Sequence, residues 1–154
     1  MSIAMHTPRM NVLQTAPEAI KLLRAVEAYL HQTSLGERLI DLVKMRASQI
    51  NGCAYCLDMH SKSLRRSGES EQRIYLLDAW RESPLYNPRE RAALAWTEAV
   101  TRIAETHAPD DVYEEVRREF DDRELADLTI LIGMINLWTR VSISSRTAHP
   151  VDAA

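Results

Sequence analysis

The chain is predicted to be all-α, and three observations carry that prediction. Apolar residues recur at helical spacing in every long segment, and no segment shows the period-two alternation of a half-buried strand. Helix-start signals recur along the chain, combining a capping residue or proline with an acid at the spacing that satisfies unpaired backbone N–H groups. Four glycines and one phenylalanine leave little material for a glycine-rich β fold.

The elements follow in order. Residues 1–16 contain Pro8 and Asn11 and read as an irregular N-terminal arm laid over the body or over a neighbouring subunit. Thr15-Ala-Pro17-Glu18 starts a helix whose stripe of Ile20, Leu23, Val26 and Leu30, joined by Leu22 and Tyr29, runs to about His31. Ser34-Leu-Gly-Glu37 has the form of a capping box. It predicts a helix carrying Leu39, Leu42, Val43, Met45 and Ile50 as far as Asn51-Gly52. A further helix opens at Cys53 and Cys56, carries Leu57, Met59 and Leu64, and closes at Gly68.

A short helix is expected around Gln72–Trp80, before Ser83-Pro84. Asn87-Pro88-Arg89-Glu90 starts a helix through Leu94, Trp96, Val100 and Ile103 that ends before Pro109, and Asp110 caps a charged helix through Phe120. The last helix, about Asp122–Ser144, is apolar on most sides and is expected to be a central core helix or part of a subunit interface.

With 154 residues the simplest organisation is a single domain over 1–154. A hydrophobic fraction of 45% and a charged fraction of 27% fit a soluble globular protein. The net charge of −3 supplies no basic surplus for nucleic acid or an anionic membrane. No apolar run approaches the ~20 residues of a membrane helix, and Met1 to Ala16 has no signal-peptide core. A cytoplasmic protein is expected, in which Cys-x-x-Cys points to metal or redox work.

Both cysteines of the chain, Cys53 and Cys56, lie in Asn51-Gly-Cys-Ala-Tyr-Cys-Leu-Asp-Met-His60. The first turn of a helix has unpaired N–H groups and a partial positive charge, so a thiolate there is stabilised. Cys56 and His60 are i and i+4 and share a helix face, which lets the imidazole take the thiol proton. A carboxylate would orient the imidazole. Asp58 stands two residues before His60 and points elsewhere. If the chain folds back at Gly52, Asp41 lies opposite His60 to Lys62. In one continuous helix Asp41 would instead lie about 18 Å from Cys53.

Two other readings stay open. Cys53, Cys56 and His60 supply three ligands of a zinc site, with Asp41 or water as the fourth, though no second Cys-x-x-Cys or His pair exists. The protein could also be an inactive oligomer with inert thiols. Outside the motif, His31, His107 and His149 read as solvated, Trp80, Trp96 and Trp138 as core, and Glu90 as a capping acid. Glu98, beside Trp96, reads as a solvated face or as a functional acid.

Leu42-Val-Lys-Met-Arg-Ala-Ser-Gln-Ile-Asn-Gly-Cys-Ala-Tyr-Cys-Leu-Asp-Met-His-Ser61 resembles the core motif of the AhpD-like alkylhydroperoxidases of the carboxymuconolactone decarboxylase superfamily. Weaker similarity extends from Pro17-Glu18-Ala19 to Glu90-Arg-Ala-Ala-Leu-Ala-Trp-Thr-Glu98. The resemblance implies an all-helical fold assembling as homo-trimers or hexamers, with the motif on an antiparallel helical hairpin. It implies peroxide reduction by a thiol, or reduction of a partner peroxiredoxin with electrons from dihydrolipoamide or a lipoyl domain, and no bound cofactor. Carried over by position, Cys53 and Cys56 are the dithiol and His60 the proton-relay histidine. The family's relay glutamate falls on Asp41, one methylene shorter, so that relay through a water or substitution by Glu98 is the expectation. Tyr55 stands where some members carry a second histidine. The non-redox decarboxylase branch lacks the dithiol.

Overall fold

The computed structural model describes residues 7–153, which form helices and connecting turns, with no strand among them. The helices are α1 (Val12–Thr15), α2 (Pro17–Leu30), α3 (Glu37–Asn51), α4 (Ala54–Arg66), α5 (Glu71–Tyr75), α6 (Pro88–Thr101), α7 (Ile103–Thr106), α8 (Asp110–Glu119) and α9 (Asp122–Ser145). A 3₁₀ turn, Leu77–Ala79, follows α5.

Helix α3 is the hub. It packs against α4, α6 and α9, and its residues Leu39 to Ser48 are all buried. On one side Ile40 and Val43 join Leu30 of α2, Trp96 of α6, Val116 of α8 and Leu128, Leu131 and Ile132 of α9. On the other side Leu42 and Met45 join Leu64, Ile74, Leu77, Trp80 and Leu94. Burying one such aliphatic side chain contributes roughly 1.5–3 kcal/mol. A helix apolar on two faces therefore holds two layers together.

The bend that positions the site lies at Gly52, whose backbone is left-handed (φ 68°, ψ 37°). Its N–H donates to the Gln49 carbonyl at 3.3 Å and the Cys53 N–H donates to the Ser48 carbonyl at 3.1 Å. This double closure satisfies the last carbonyls of α3 and turns the chain back on itself. Helices α3 and α4 then run as the antiparallel hairpin the sequence predicts.

Several boundaries differ from expectation. Ser34 does not cap α3; Gly36 holds that position at φ 80° with no side-chain cap, and Ser34 Oγ donates to Glu124 at 3.0 Å. The helix expected over Gln72–Trp80 breaks into α5 and the 3₁₀ turn at Leu76, and Trp80 lies beyond both. The helix expected to reach Pro109 stops at Thr101 and resumes as the single turn α7. Thr106 Oγ1 donates to the Ala99 carbonyl at 2.6 Å, and His107 and Ala108 take positive φ values of 52° and 49° ahead of the proline, where continued right-handed helix is disfavoured. Pro109, rather than Asp110, precedes α8.

Asn87–Glu90 forms a reciprocal capping box at the expected helix start, and Asp121–Glu124 forms a second, unpredicted one. Helix α9 buries one broad face and leaves Ile130 and Ile143 exposed, so it is not covered on most sides. It is also long and apolar enough to cross a membrane by length and composition, contrary to the expectation that no such run exists. In this fold it packs against α2, α3, α4, α6 and α8. The described part of the arm is less irregular than expected, because Asn11 caps the single turn α1. The Arg9 N–H donates to the Ser145 carbonyl at 2.9 Å, laying the arm over the end of α9. Residues 1–6 of the expected arm lie outside the described residues.

Candidate active site

Cys53 is not in the first turn of α4 but immediately before it, as the N-cap (φ −89°, ψ 100°), and its sulfur accepts a hydrogen bond from the Cys56 N–H at 3.3 Å. The two sulfurs are joined as a disulfide, with Cα atoms 5.3 Å apart. Both residues are about 1% exposed; Cys56, and not Cys53, lines a pocket of about 440 Å³ between α2, α3, α4 and α9. From this pocket the disulfide is approached at Cys56.

Helix periodicity explains what else reaches this pocket. Cys56, Met59, His60, Ser63 and Arg66 stand at i, i+3, i+4, i+7 and i+10 and form one face of α4. Asp41 and Lys44 arrive from α3 at the same spacing, Arg24 and Glu27 from α2, and His31 from the residue that caps its C-terminus. Helix α9 supplies Trp138, Val141 and Ser142.

The hairpin brings Asp41 across from His60, as a bend at Gly52 predicts. Asp41 Oδ1 lies 3.4 Å from His60 Nδ1, and Asp41 Oδ2 accepts from Ser63 Oγ at 2.7 Å. The shorter side chain thus contacts the imidazole directly, without the water expected from its missing methylene. Burial alone pushes the Asp41 carboxyl up. Hydrogen bonds from His60 and Ser63 and the nearby charges of His60 and Lys44 outweigh it and hold the group below the usual carboxylate range. Asp58 turns away to Lys62, 2.9 Å distant.

Glu98 is neither on a solvated face nor at the pocket. It is buried, and its Oε1 accepts from Arg46 Nε at 3.0 Å and Trp80 Nε1 at 2.9 Å, while Oε2 pairs with Arg81. Burial raises its carboxyl, but Arg81, Trp80 and the charge of Arg46 hold it below its ordinary value. Each of its oxygens is engaged in tying α3 and the segment after α5 to α6. Among the described residues no group of three His, Cys, Asp or Glu side chains is arranged to hold a metal ion.

With this geometry in view, the comparison with known proteins is direct. The profile of the carboxymuconolactone decarboxylase family matches residues 15–99, just over half of the chain. The chain belongs to the carboxymuconolactone decarboxylase family. It is 43% identical over 136 residues to the uncharacterized protein YdfG of Bacillus subtilis, spanning 88% of this chain and 92% of that one. A solved structure from Agrobacterium tumefaciens superposes with a TM-score of 0.91 at 49% identity, covering 95% of this chain and 100% of its own. That protein is of unknown function, with an AhpD-type antioxidant defence role suggested for it. A debrominase shares the fold with a TM-score of 0.78 at 17% identity, over 90% of this chain and 75% of that one. Membership therefore brings the AhpD-like fold, while the reaction has to be argued from the site.

Within the family's helical frame, several pocket residues were not legible beforehand. Glu27 Oε1 accepts from Trp138 Nε1 at 2.8 Å and its Oε2 pairs with Lys44 at 2.5 Å, so α2, α3 and α9 meet in one polar wall. Trp138, read as core, packs against the core cluster and also lines the pocket, as does His31. Lys44 and Ser63 stand three residues from Asp41 and from His60, a spacing that could have flagged them. Glu27 and Trp138 carry no local signal, because only the packing of distant helices joins them.

Proposed function

We propose that the protein is a thiol-dependent peroxidase that cycles Cys53 and Cys56 between dithiol and disulfide. The observation that carries this reading is that Cys56, alone of the pair, lines the pocket, on the face of α4 that also bears His60 backed by Asp41.

In the reduced protein, the Cys56 proton passes to His60, and the thiolate attacks the terminal oxygen of a hydroperoxide. The O–O bond breaks, the alcohol leaves with the proton returned from His60, and Cys56 becomes a sulfenic acid. The Cys53 thiolate then attacks the Cys56 sulfur, water leaves, and the disulfide forms. To reset it, a thiolate of an external dithiol attacks Cys56 through the pocket. Cys53 departs as a thiolate received by the Cys56 N–H at the positive end of α4. A second attack within the mixed disulfide releases the oxidised dithiol. Dihydrolipoamide, free or on a lipoyl domain, suits this step, and a peroxiredoxin disulfide could replace the peroxide as oxidant. A cytoplasmic homo-oligomer, trimer or hexamer, completes the proposal.

The test is peroxide consumption with a dithiol reductant for wild type, Cys56→Ser, Cys53→Ser and His60→Gln. Turnover should vanish in both serine variants and fall about 10²- to 10⁴-fold in His60→Gln, the span of general acid–base catalysis. Undiminished turnover in Cys56→Ser overturns the assignment.

A further inference from the structure

Two guanidinium groups at the rim of the site have no partner among the described residues. Arg24 on α2 and Arg66 on the last turn of α4 both line the pocket that holds Cys56. Both are exposed, and neither side chain forms a hydrogen bond or ion pair with another described residue. The carboxylates in the same wall are already engaged, Glu27 by Lys44 and Trp138, Asp41 by His60 and Ser63. The rim is thus left with uncompensated positive charge.

The surface the pocket presents is mostly apolar, with Met59, Trp138 and Val141 among its lining. Arg66 stands ten positions after Cys56 on α4, about 15 Å along the helix axis. Helical side chains lean toward the N-terminus, so Arg66 reaches back over the pocket. A ligand matching these features is elongated, apolar along its body and anionic at the end away from the sulfur.

We propose that the pocket selects a hydroperoxide borne on a medium-length carboxylic acid, with its carboxylate held by Arg24 and Arg66 and its peroxide group at Cys56. The reacting end rests on the peroxidase reading; the carboxylate subsite does not. The chemistry is one two-electron exchange: the acid's hydroperoxide becomes the hydroxy acid, water is released, and the Cys53–Cys56 dithiol becomes the disulfide. Guanidinium suits the task because its fork of N–H donors matches a carboxylate.

The experiment has a kinetic and a binding arm. In the first, the hydroperoxide of a medium-chain fatty acid is compared with that of its methyl ester, in wild type and in the Arg24→Gln/Arg66→Gln variant. Wild type should prefer the acid in kcat/KM by about tenfold, the scale of two exposed charge pairs. The double variant should bring that ratio close to one, and high salt should do the same in wild type. In the second arm, calorimetry compares octanoate with methyl octanoate, neither of which can react. Octanoate binding tighter than the ester, with the difference lost in the double variant, supports the subsite even if no hydroperoxide turns over. Equal binding of acid and ester, or an acid preference that survives loss of both arginines, overturns it. Turnover without acid preference overturns the subsite and leaves the peroxidase reading standing.

Discussion

Asp41 Oδ1 stands 3.4 Å from His60 Nδ1, although the two residues are 19 positions apart and lie on different helices. The left-handed backbone at Gly52 makes this contact by turning α4 back along α3. Ser63, one turn beyond His60, holds the second carboxylate oxygen at 2.7 Å and so fixes which oxygen faces the imidazole.

If Asp41 orients His60 in this way, Asp41→Asn should lower kcat roughly 10- to 100-fold while leaving the fold intact, less than the loss of the base itself. Ser63→Ala should cost only a few-fold. Single-turnover oxidation of the reduced protein measures both, and an unchanged rate in Asp41→Asn removes Asp41 from the relay.

Glu98 should behave as a structural acid. Glu98→Ala leaves the buried Arg46 Nε and Trp80 Nε1 without their acceptor, though Arg46 keeps Gln49 and Asp78, and should destabilise the protein by about 3 kcal/mol. The folded variant should keep its peroxide turnover; a large loss with unchanged stability would make Glu98 a relay after all. The same group sets a pH dependence. Its folded carboxyl titrates below the unfolded one, so its contribution is complete above the unfolded value, near pH 4, and is lost as pH falls through the lower folded value. Asp41 shifts in the same direction. Urea midpoints followed from pH 6 to pH 3 should fall less steeply in Glu98→Gln than in wild type.

Gly52→Ala tests the bend. A β-carbon at Gly52 meets nothing within 4 Å, so the cost is backbone strain alone, about 1–2 kcal/mol for an L-residue in the left-handed region. Thermal unfolding should show a Tm lower by about 2–8 °C, with Gly52→Asn milder. A variant as stable as wild type would mean that the left-handed turn is not required.

Unequal access to the two sulfurs predicts unequal labelling. After reduction, a small neutral alkylating agent should modify Cys56 before Cys53, because only Cys56 lines the pocket. Mass spectrometry of singly labelled protein reads the order, and a majority of label on Cys53 would reverse the proposed roles.

The helices α2, α3, α4, α6, α8 and α9 were legible because each carries its own periodic stripe or capping signal within a few turns of chain. The proline-led start at Pro17 and the box at Asn87 appear where local chemistry places them. The boundaries that moved were those set by competition. Ser34 is drawn off by Glu124 of α9, and the α6 tail is cut short by Thr106 and the residues before Pro109. Glu98 read as a solvated face or a functional acid, and not as a structural one, because its partners Arg46 and Trp80 come from remote segments.

The sequence by itself determined the helical class, the position of the dithiol at a helix start, the shared face of Cys56 and His60, and the bend that could bring in Asp41. All of these depend on neighbours within a few turns, where spacing and torsion preference suffice. Only the tertiary structure decided that Asp41 touches His60, that Glu98 is locked into an ion-pair cluster, and that Cys56 rather than Cys53 opens to the pocket. It also decided that Arg24, Trp138 and Arg66 converge around that opening. These outcomes turn on how α2 and α9 pack against the hairpin, and such long-range contacts leave no periodic trace in the chain.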